Sequence, residues 1–270
     1  MSEGRKEILL GDCLELMKDI PNGSIDMILC DLPYGTTACK WDVIIPFEPL
    51  WEQYERIIKD DGAIVLTASQ PFTSALVMSN IKLFKYELIW YKSMPSGLST
   101  ANKRPMKYHE NICVFYKKQP IYNKIYAERN HSSRINNFVN KNYINSENAQ
   151  QTNRTTNVKV VQMKRYYEKD KVNPKSVLEI PSVANRKGAK LHPTQKPVFL
   201  FEYLINTFTN DGETVLDNCA GSGTTAIACL KTNRQFIVME KEQKYYDIIL
   251  KRVGDFNKKF ELGTLFGNEM

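Results

Sequence analysis

Residues 214–240 read TVLDNCAGSGTTAIACLKTNRQFIVME, and this stretch decides the fold. Thr214–Leu216 predicts a short strand, Asp217–Gly223 a glycine-bearing turn, and Thr224 to about Thr232 a helix. Gln235–Met239 predicts a second strand that ends at Glu240. Glycines between a parallel strand and a helix let the backbone approach a ligand closely, and the helix N-terminus favours groups that accept hydrogen bonds. No Lys follows Gly223, which excludes a Walker A phosphate loop. Position 226 is Ala where a dinucleotide fingerprint carries its third Gly. Glu240 lies 17 positions after Gly223, at a strand end where a carboxylate can accept from both hydroxyls of a ribose. Taken singly, the glycines are a tight turn and the acid a helix cap. Strand, turn, helix and acid in register point to a nucleoside-containing cofactor.

Working outward, Ile25–Cys30 is an apolar run broken only by Asp26, the pattern of a parallel strand buried on both faces. It ends at Asp31-Leu32-Pro33-Tyr34, and ligands in α/β sheets gather at the carboxyl ends of strands. The fixed φ of proline holds a carboxylate, a backbone carbonyl and an aromatic face together. Such a corner can read an amino group on a flat ring, with two acceptors for its hydrogens and a stacking surface for the ring. Further strands are predicted at Lys6–Leu10, Ala63–Ala68, Tyr86–Tyr91 and Asn111–Lys117, the last two separated by a loop over Lys92–Glu110. Helices are predicted at Cys13–Lys18, Phe47–Lys59, Pro71–Ser79, Pro197–Phe208 and Lys241–Val253. This alternation describes an α/β domain with a mostly parallel sheet.

The chain has 270 residues, ample for one large core, and a formal net charge of +7. Residues 117–190 hold 16 Lys and Arg against five acids, so the excess positive charge is in one middle segment. That segment interleaves Tyr122, Tyr126, Phe138, Tyr143, Tyr166 and Tyr167, and its composition predicts contact with a phosphate backbone. No apolar run reaches the roughly 18 residues of a membrane helix, and Met1–Glu7 lacks a signal-peptide stretch, so membrane and secreted classes are not expected. The six Cys are scattered singly, which disfavours zinc ribbons and disulfide scaffolds and fits a reducing cytoplasm. His109 and His192 have no second ligand at metal spacing, and no metal site is expected.

Together these segments resemble the β class of S-adenosylmethionine-dependent DNA amino-methyltransferases. The order is the similarity: Asp31–Tyr34 first, the basic region 119–190 next, then His192-Pro193-Thr194-Gln195-Lys196-Pro197, then the Gly loop Asp217–Thr225. Two departures stand out, Leu32 in place of a second proline and Asn218-Cys219 where the family has Pro-Phe. The resemblance implies a circularly permuted, doubly wound, mostly parallel Rossmann-like sheet. Its catalytic domain spans 1–118 and 191–260, with a target-recognition region at 119–190 and a tail at 261–270. It implies catalytic Asp31, Leu32, Pro33 and Tyr34, and a target-base pocket of Tyr34, Trp90 and Lys92. Cofactor contacts are implied for Asp12, Cys13, Asp31 and Lys196, for Asp217, Cys219, Ala220, Gly221, Ser222, Gly223, Thr224 and Thr225, and for Glu240 and Lys241. Lys196 is expected near the cofactor carboxylate, and Asp12 and Glu240 at opposite ends of one adenosine.

The implied reaction moves a methyl group from S-adenosylmethionine to the N6 amino group of an adenine flipped out of double-stranded DNA. N4-cytosine transfer is the alternative, since such enzymes usually begin the tetrapeptide with Ser. An RNA or protein amino-methyltransferase, or a non-catalytic nucleic-acid binding module, are further readings. A homodimer and a cognate restriction endonuclease are conceivable partners that no residue specifies.

Overall fold

The computed structural model describes residues 5–37, 39, 42–98, 101–128, 171–183, 191–192 and 195–266. The chain forms two compact units, Met1–Asn123 with Lys175–Met270, and Lys124–Pro174. In the second unit, β6 (Ala127–Glu128) and β7 (Lys171–Val172) pair antiparallel. Most of the basic segment, 129–170 and 184–190, lies outside the described residues, as do Pro193 and Thr194 of the hexapeptide.

The larger unit is built on an eight-stranded sheet. Its strands are β1 (Lys6–Leu10), β2 (Ile25–Asp31), β3 (Ile58–Ala68), β4 (Phe84–Ser96), β5 (Lys107–Phe115), β8 (Val177–Glu179), β9 (Thr214–Asp217) and β10 (Gln235–Glu240). They lie in the order β1-β10-β9-β2-β3-β5-β4-β8. From β1 to β3 every pairing is parallel; β5 runs antiparallel to both β3 and β4. The first strand therefore pairs with the last, Lys6 opposite Phe236 and Leu10 opposite Glu240, which is the permuted arrangement expected.

Helices α1 (Cys13–Leu16), α2 (Phe47–Ile57) and α3 (Phe72–Ser79) cover one face of the sheet. On the other face lie α4 (Val198–Phe208), α5 (Thr224–Lys231) and α6 (Gln243–Phe266). The strands explain the two layers. Ile28 and Cys30 of β2 join Leu50, Tyr54 and Phe72 in one core, while Met27 and Leu29 point to Leu200, Phe201 and Leu204 in the other. Successive side chains of a strand alternate between faces, so a strand covered on both sides carries an unbroken apolar run. No helix among the described residues is long and apolar enough to cross a membrane.

Four boundaries differ from the sequence expectation. Helix α2 stops at Ile57, because Ile58 turns extended and opens β3 opposite Ile25; Lys59, expected in the helix, sends its ammonium to Asp26 at 2.5 Å. The expected loop over Lys92–Glu110 is largely strand, and the β4–β5 ladder continues through Trp90 opposite Glu110 and Tyr91 opposite His109. The final helix begins at Gln243 and runs on to Phe266, into the stretch expected to be tail. Within the expected insertion, Val177–Glu179 instead extends the main sheet, parallel to β4, and the Trp90 indole donates to the Ile180 carbonyl at 2.8 Å.

Candidate active site

Strand ends and the turns after them place the expected residues around one cavity of about 770 Å³. The carboxyl end of β10 brings Glu240, and β1 beside it brings Asp12. The Gly11 amide donates to the Glu240 carbonyl at 2.9 Å, so these distant residues become neighbours. Asp12 caps α1 by accepting from the Leu14 amide at 3.0 Å and pairs with Lys241 at 3.0 Å. The Glu240 carboxylate accepts from the Gly221 amide at 2.8 Å and the Glu242 amide at 2.8 Å. Burial raises the pKa of this carboxyl against those two bonds.

The glycine turn has a physical reason for each Gly. Gly221 (φ +53°) and Gly223 (φ +78°) are left-handed, where a side chain is costly. At Gly223 a Cβ would also lie 3.0 Å from Ile249 Cγ2, so helix α6 packs against bare backbone. Asp217 braces the same turn: one oxygen accepts from the Cys219 amide at 3.0 Å and the other from the Thr225 hydroxyl. Burial pushes the Asp217 carboxyl up to about 6. Asn218 is anchored by the Tyr54 hydroxyl, which donates to Oδ1 at 2.5 Å, and its amide nitrogen lies 3.5 Å and 3.6 Å from the thiols of Cys13 and Cys219. A polar residue thus fits where the family has proline, because Tyr54 supplies its partner.

At the end of β2, Asp31 is held from both sides. Oδ1 accepts from the Thr67 hydroxyl at 2.5 Å and the Tyr34 hydroxyl at 2.7 Å; Oδ2 accepts from the Lys196 ammonium at 2.5 Å. The Tyr34 ring stacks on Phe72 with centroids 5.1 Å apart, and the Lys196 ammonium lies 5.6 Å from its centroid. After Tyr34, the Asp42 carboxylate gathers the amides of Gly35, Thr36 and Thr37 at 2.7–2.9 Å and fixes the loop. Burial raises the Asp42 pKa, and these bonds, with the Thr37 hydroxyl, outweigh it and hold the carboxyl below the usual range.

Of the expected site residues, Asp12, Cys13, Asp31, Leu32, Pro33, Tyr34, Trp90, Lys92 and Lys196 line the cavity. So do Asp217, Cys219, Ala220, Gly221, Ser222, Thr224, Glu240 and Lys241. Gly223 and Thr225 do not: the first packs on Ile249, and the Thr225 hydroxyl is taken by Asp217. Lys196, expected near a cofactor carboxylate, lines the cavity and donates to Asp31 Oδ2 at 2.5 Å. Trp90, expected to line a base pocket, is also buried in the core with its N–H bound to Ile180. His192 packs edge-on against Tyr245 with ring centroids 4.3 Å apart, and burial lowers its pKa to about 4.

Sequence reading missed Thr67, Asp42 and Glu110. Glu110 lines the cavity, pairs with Lys92 at 3.0 Å and lies 3.4 Å from Lys196. No group of three ligating side chains that could hold a metal occurs among the described residues.

A doubly wound sheet with a glycine turn, a buried strand-end acid and an aromatic acceptor corner on one cavity defines a nucleoside-cofactor enzyme of the α/β class. A family model described as DNA methylase, of the N6/N4 type, matches residues 25–251. The chain belongs to the DNA methylase family and is an S-adenosylmethionine-dependent DNA methyltransferase. It is similar to the type II methyltransferase M.HinfI of Haemophilus influenzae, 27% identical over 91% of this chain and 67% of that one. It is similar too to the DNA adenine methyltransferase YhdJ of Escherichia coli strain K12, 28% identical over 92% of this chain and 82% of that one. Among solved structures, M1.HpyAVI in complex with SAM matches with a TM-score of 0.60 and 23% identity, covering 91% of this chain and 98% of that one. The cytosine-N4-specific PvuII DNA methyltransferase matches with a TM-score of 0.62 and 16% identity, over 93% of this chain and 90% of that one.

The site's own chemistry fits the cofactor. A cavity of about 770 Å³ is within the range of cofactor sites, roughly 300–1,000 Å³. Asp12 and Glu240 offer acceptors for hydroxyl and amino groups along its wall.

Proposed function

We propose that this chain methylates the N6 amino group of adenine at a specific site in double-stranded DNA. The observation that carries the reading is the position of Asp31. Its carboxylate is fixed by Thr67 and Tyr34 on the same cavity as the glycine turn and Glu240. The amino group of a base is conjugated with its ring and is a poor nucleophile. Asp31 and the Leu32 carbonyl, accepting its two hydrogens, would turn the lone pair out of the ring plane. Bound S-adenosylmethionine would supply an electrophilic sulfonium methyl with a neutral thioether as its leaving group, and Asp12, Glu240 and the glycine turn would hold it. The nitrogen then sheds one proton to water, and positioning with electrostatics supplies the acceleration. A base inside a duplex cannot reach this corner, so it is flipped out at a cost of a few kcal/mol. Stacking on Tyr34, at about 1–3 kcal/mol, offsets much of that, and Phe72 already holds the ring in place.

The acid at the head of Asp31-Leu32-Pro33-Tyr34 and the name of the E. coli relative support adenine; N4-cytosine is the second reading. We assign target recognition to the basic region 119–190, and cytoplasmic chromosomal DNA as the substrate. The names of the type II relatives support a cognate restriction endonuclease as partner. The test is transfer of labelled methyl to unmethylated genomic DNA, with chromatography of the hydrolysed bases. N6-methyladenine is expected, and N4-methylcytosine would select the second reading. Asp31→Ala should abolish transfer and leave cofactor binding unchanged; loss of cofactor binding would overturn the role given to Asp31. Sequencing of the methylated genome identifies the target.

A further inference from the structure

Both oxygens of Asp31 are engaged before any substrate arrives. Oδ1 is held by Thr67 from β3 and by Tyr34, whose ring is packed on Phe72, and Oδ2 is held by Lys196. With Phe72 stacked on one face of Tyr34, a base has the other, and the Lys196 ammonium stands 5.6 Å from the ring centroid. A flipped base therefore needs the place Lys196 occupies. Lys196 is 6% exposed, so its charge is balanced here by anions rather than by water. A buried ammonium without a counter-charge costs several kcal/mol, so it must move to another anion.

One is within reach. Glu110 Oε2 is a buried side-chain oxygen without a hydrogen-bond partner among the described residues, and it lies 3.4 Å from Lys196 Nζ. The other oxygen of Glu110 is held by Lys92 at 3.0 Å, and Lys92 in turn reaches Ser96 at 3.3 Å. The four side chains alternate in sign, Lys92, Glu110, Lys196, Asp31. We propose that Glu110 is a positioning residue that receives the Lys196 ammonium when the target amino group takes Asp31 Oδ2. Lys196 is then a placeholder for the amino group, exchanging one charge-assisted hydrogen bond for another. Lys92 keeps the receiving carboxylate turned toward it. This inference rests on the amino-methyltransferase reading above.

The test compares Glu110→Gln, Lys196→Met and the double variant on two duplexes, one with the unmethylated target site for the transfer rate and one with 2-aminopurine at the target position for base flipping. Glu110→Gln should leave affinity for S-adenosylhomocysteine unchanged. It should lower the single-turnover methylation rate by about 10- to 100-fold, the equivalent of one hydrogen bond to a charged group. The 2-aminopurine emission on binding should fall with it. Adding Lys196→Met to Glu110→Gln should recover rate and emission, because no ammonium is left to hold Asp31. If Glu110→Gln fails to fold, Glu110→Asp withdraws the carboxylate by one methylene while keeping its charge, and should show the same loss. A wild-type rate in Glu110→Gln, or a double variant no better than the single, overturns the inference. A wild-type protein that methylates no DNA overturns the function reading itself, a result distinct from either.

Discussion

Two glycines two positions apart in the same turn should respond differently to the same substitution. Gly221 and Gly223 are both left-handed, at φ +53° and +78°, so alanine at either costs about 1–2 kcal/mol of backbone strain. Their surroundings diverge. A Cβ at Gly221 would sit 3.7 Å from the His192 ring, an ordinary contact. A Cβ at Gly223 would lie 3.0 Å and 3.1 Å from Ile249 Cγ2 and Cγ1, side-chain atoms in the buried core. Overpacking of that kind adds about 1–3 kcal/mol, so Gly223→Ala should cost roughly 2–5 kcal/mol in all. Urea unfolding of both variants measures the difference, and the same comparison in an Ile249→Ala background should remove most of the surplus at Gly223, leaving the 3.3 Å contact with the residue 249 Cβ. Equal losses at the two positions, or a surplus undiminished by Ile249→Ala, would refute the packing argument.

Two more outcomes follow from buried partners. Trp90→Phe removes the donor to the Ile180 carbonyl and should cost about 1–3 kcal/mol; hydrogen exchange should show faster opening of Ile89 and Ile180, whose amides pair β4 with β8. Burial depresses the His192 pKa from 6.5 to about 4, so its neutral form favours folding. That contribution is present above pH 6.5 and is lost as pH falls from there toward 4. Between pH 7 and pH 5 the wild type should therefore lose about 2 kcal/mol relative to His192→Asn, read as the change in urea midpoint; parallel pH profiles would contradict this.

The sequence made the permuted core readable because parallel strands buried on two faces carry continuous apolar runs, as Ile25–Cys30 does, and because glycines with positive φ are few and specific. It hid the polar floor of the cleft for a related reason. Glu110 is charged, and a charged residue in sequence resembles solvent-exposed loop; Lys92 was expected at the site only through the family resemblance. Only the ladder that sets Trp90 opposite Glu110 shows the two compensating each other inside the protein. Thr67 was equally silent, since a hydroxyl within an apolar strand gains meaning only from the carboxylate it meets 36 positions away. Val177–Glu179 escaped because a three-residue strand inside a basic stretch has no periodicity to detect.

The pairing of β1 with β10 has a consequence for how the molecule is made. β1 has its sheet neighbour only in a segment about 230 positions later in the chain, as the bond from the Arg5 amide to the Gln235 side chain shows. Contacts of such long separation form late and slowly. Asp12 joins Glu240 and the glycine turn only when β1 docks on β10, so the complete acidic wall of the cofactor cavity waits on that one long-range pairing.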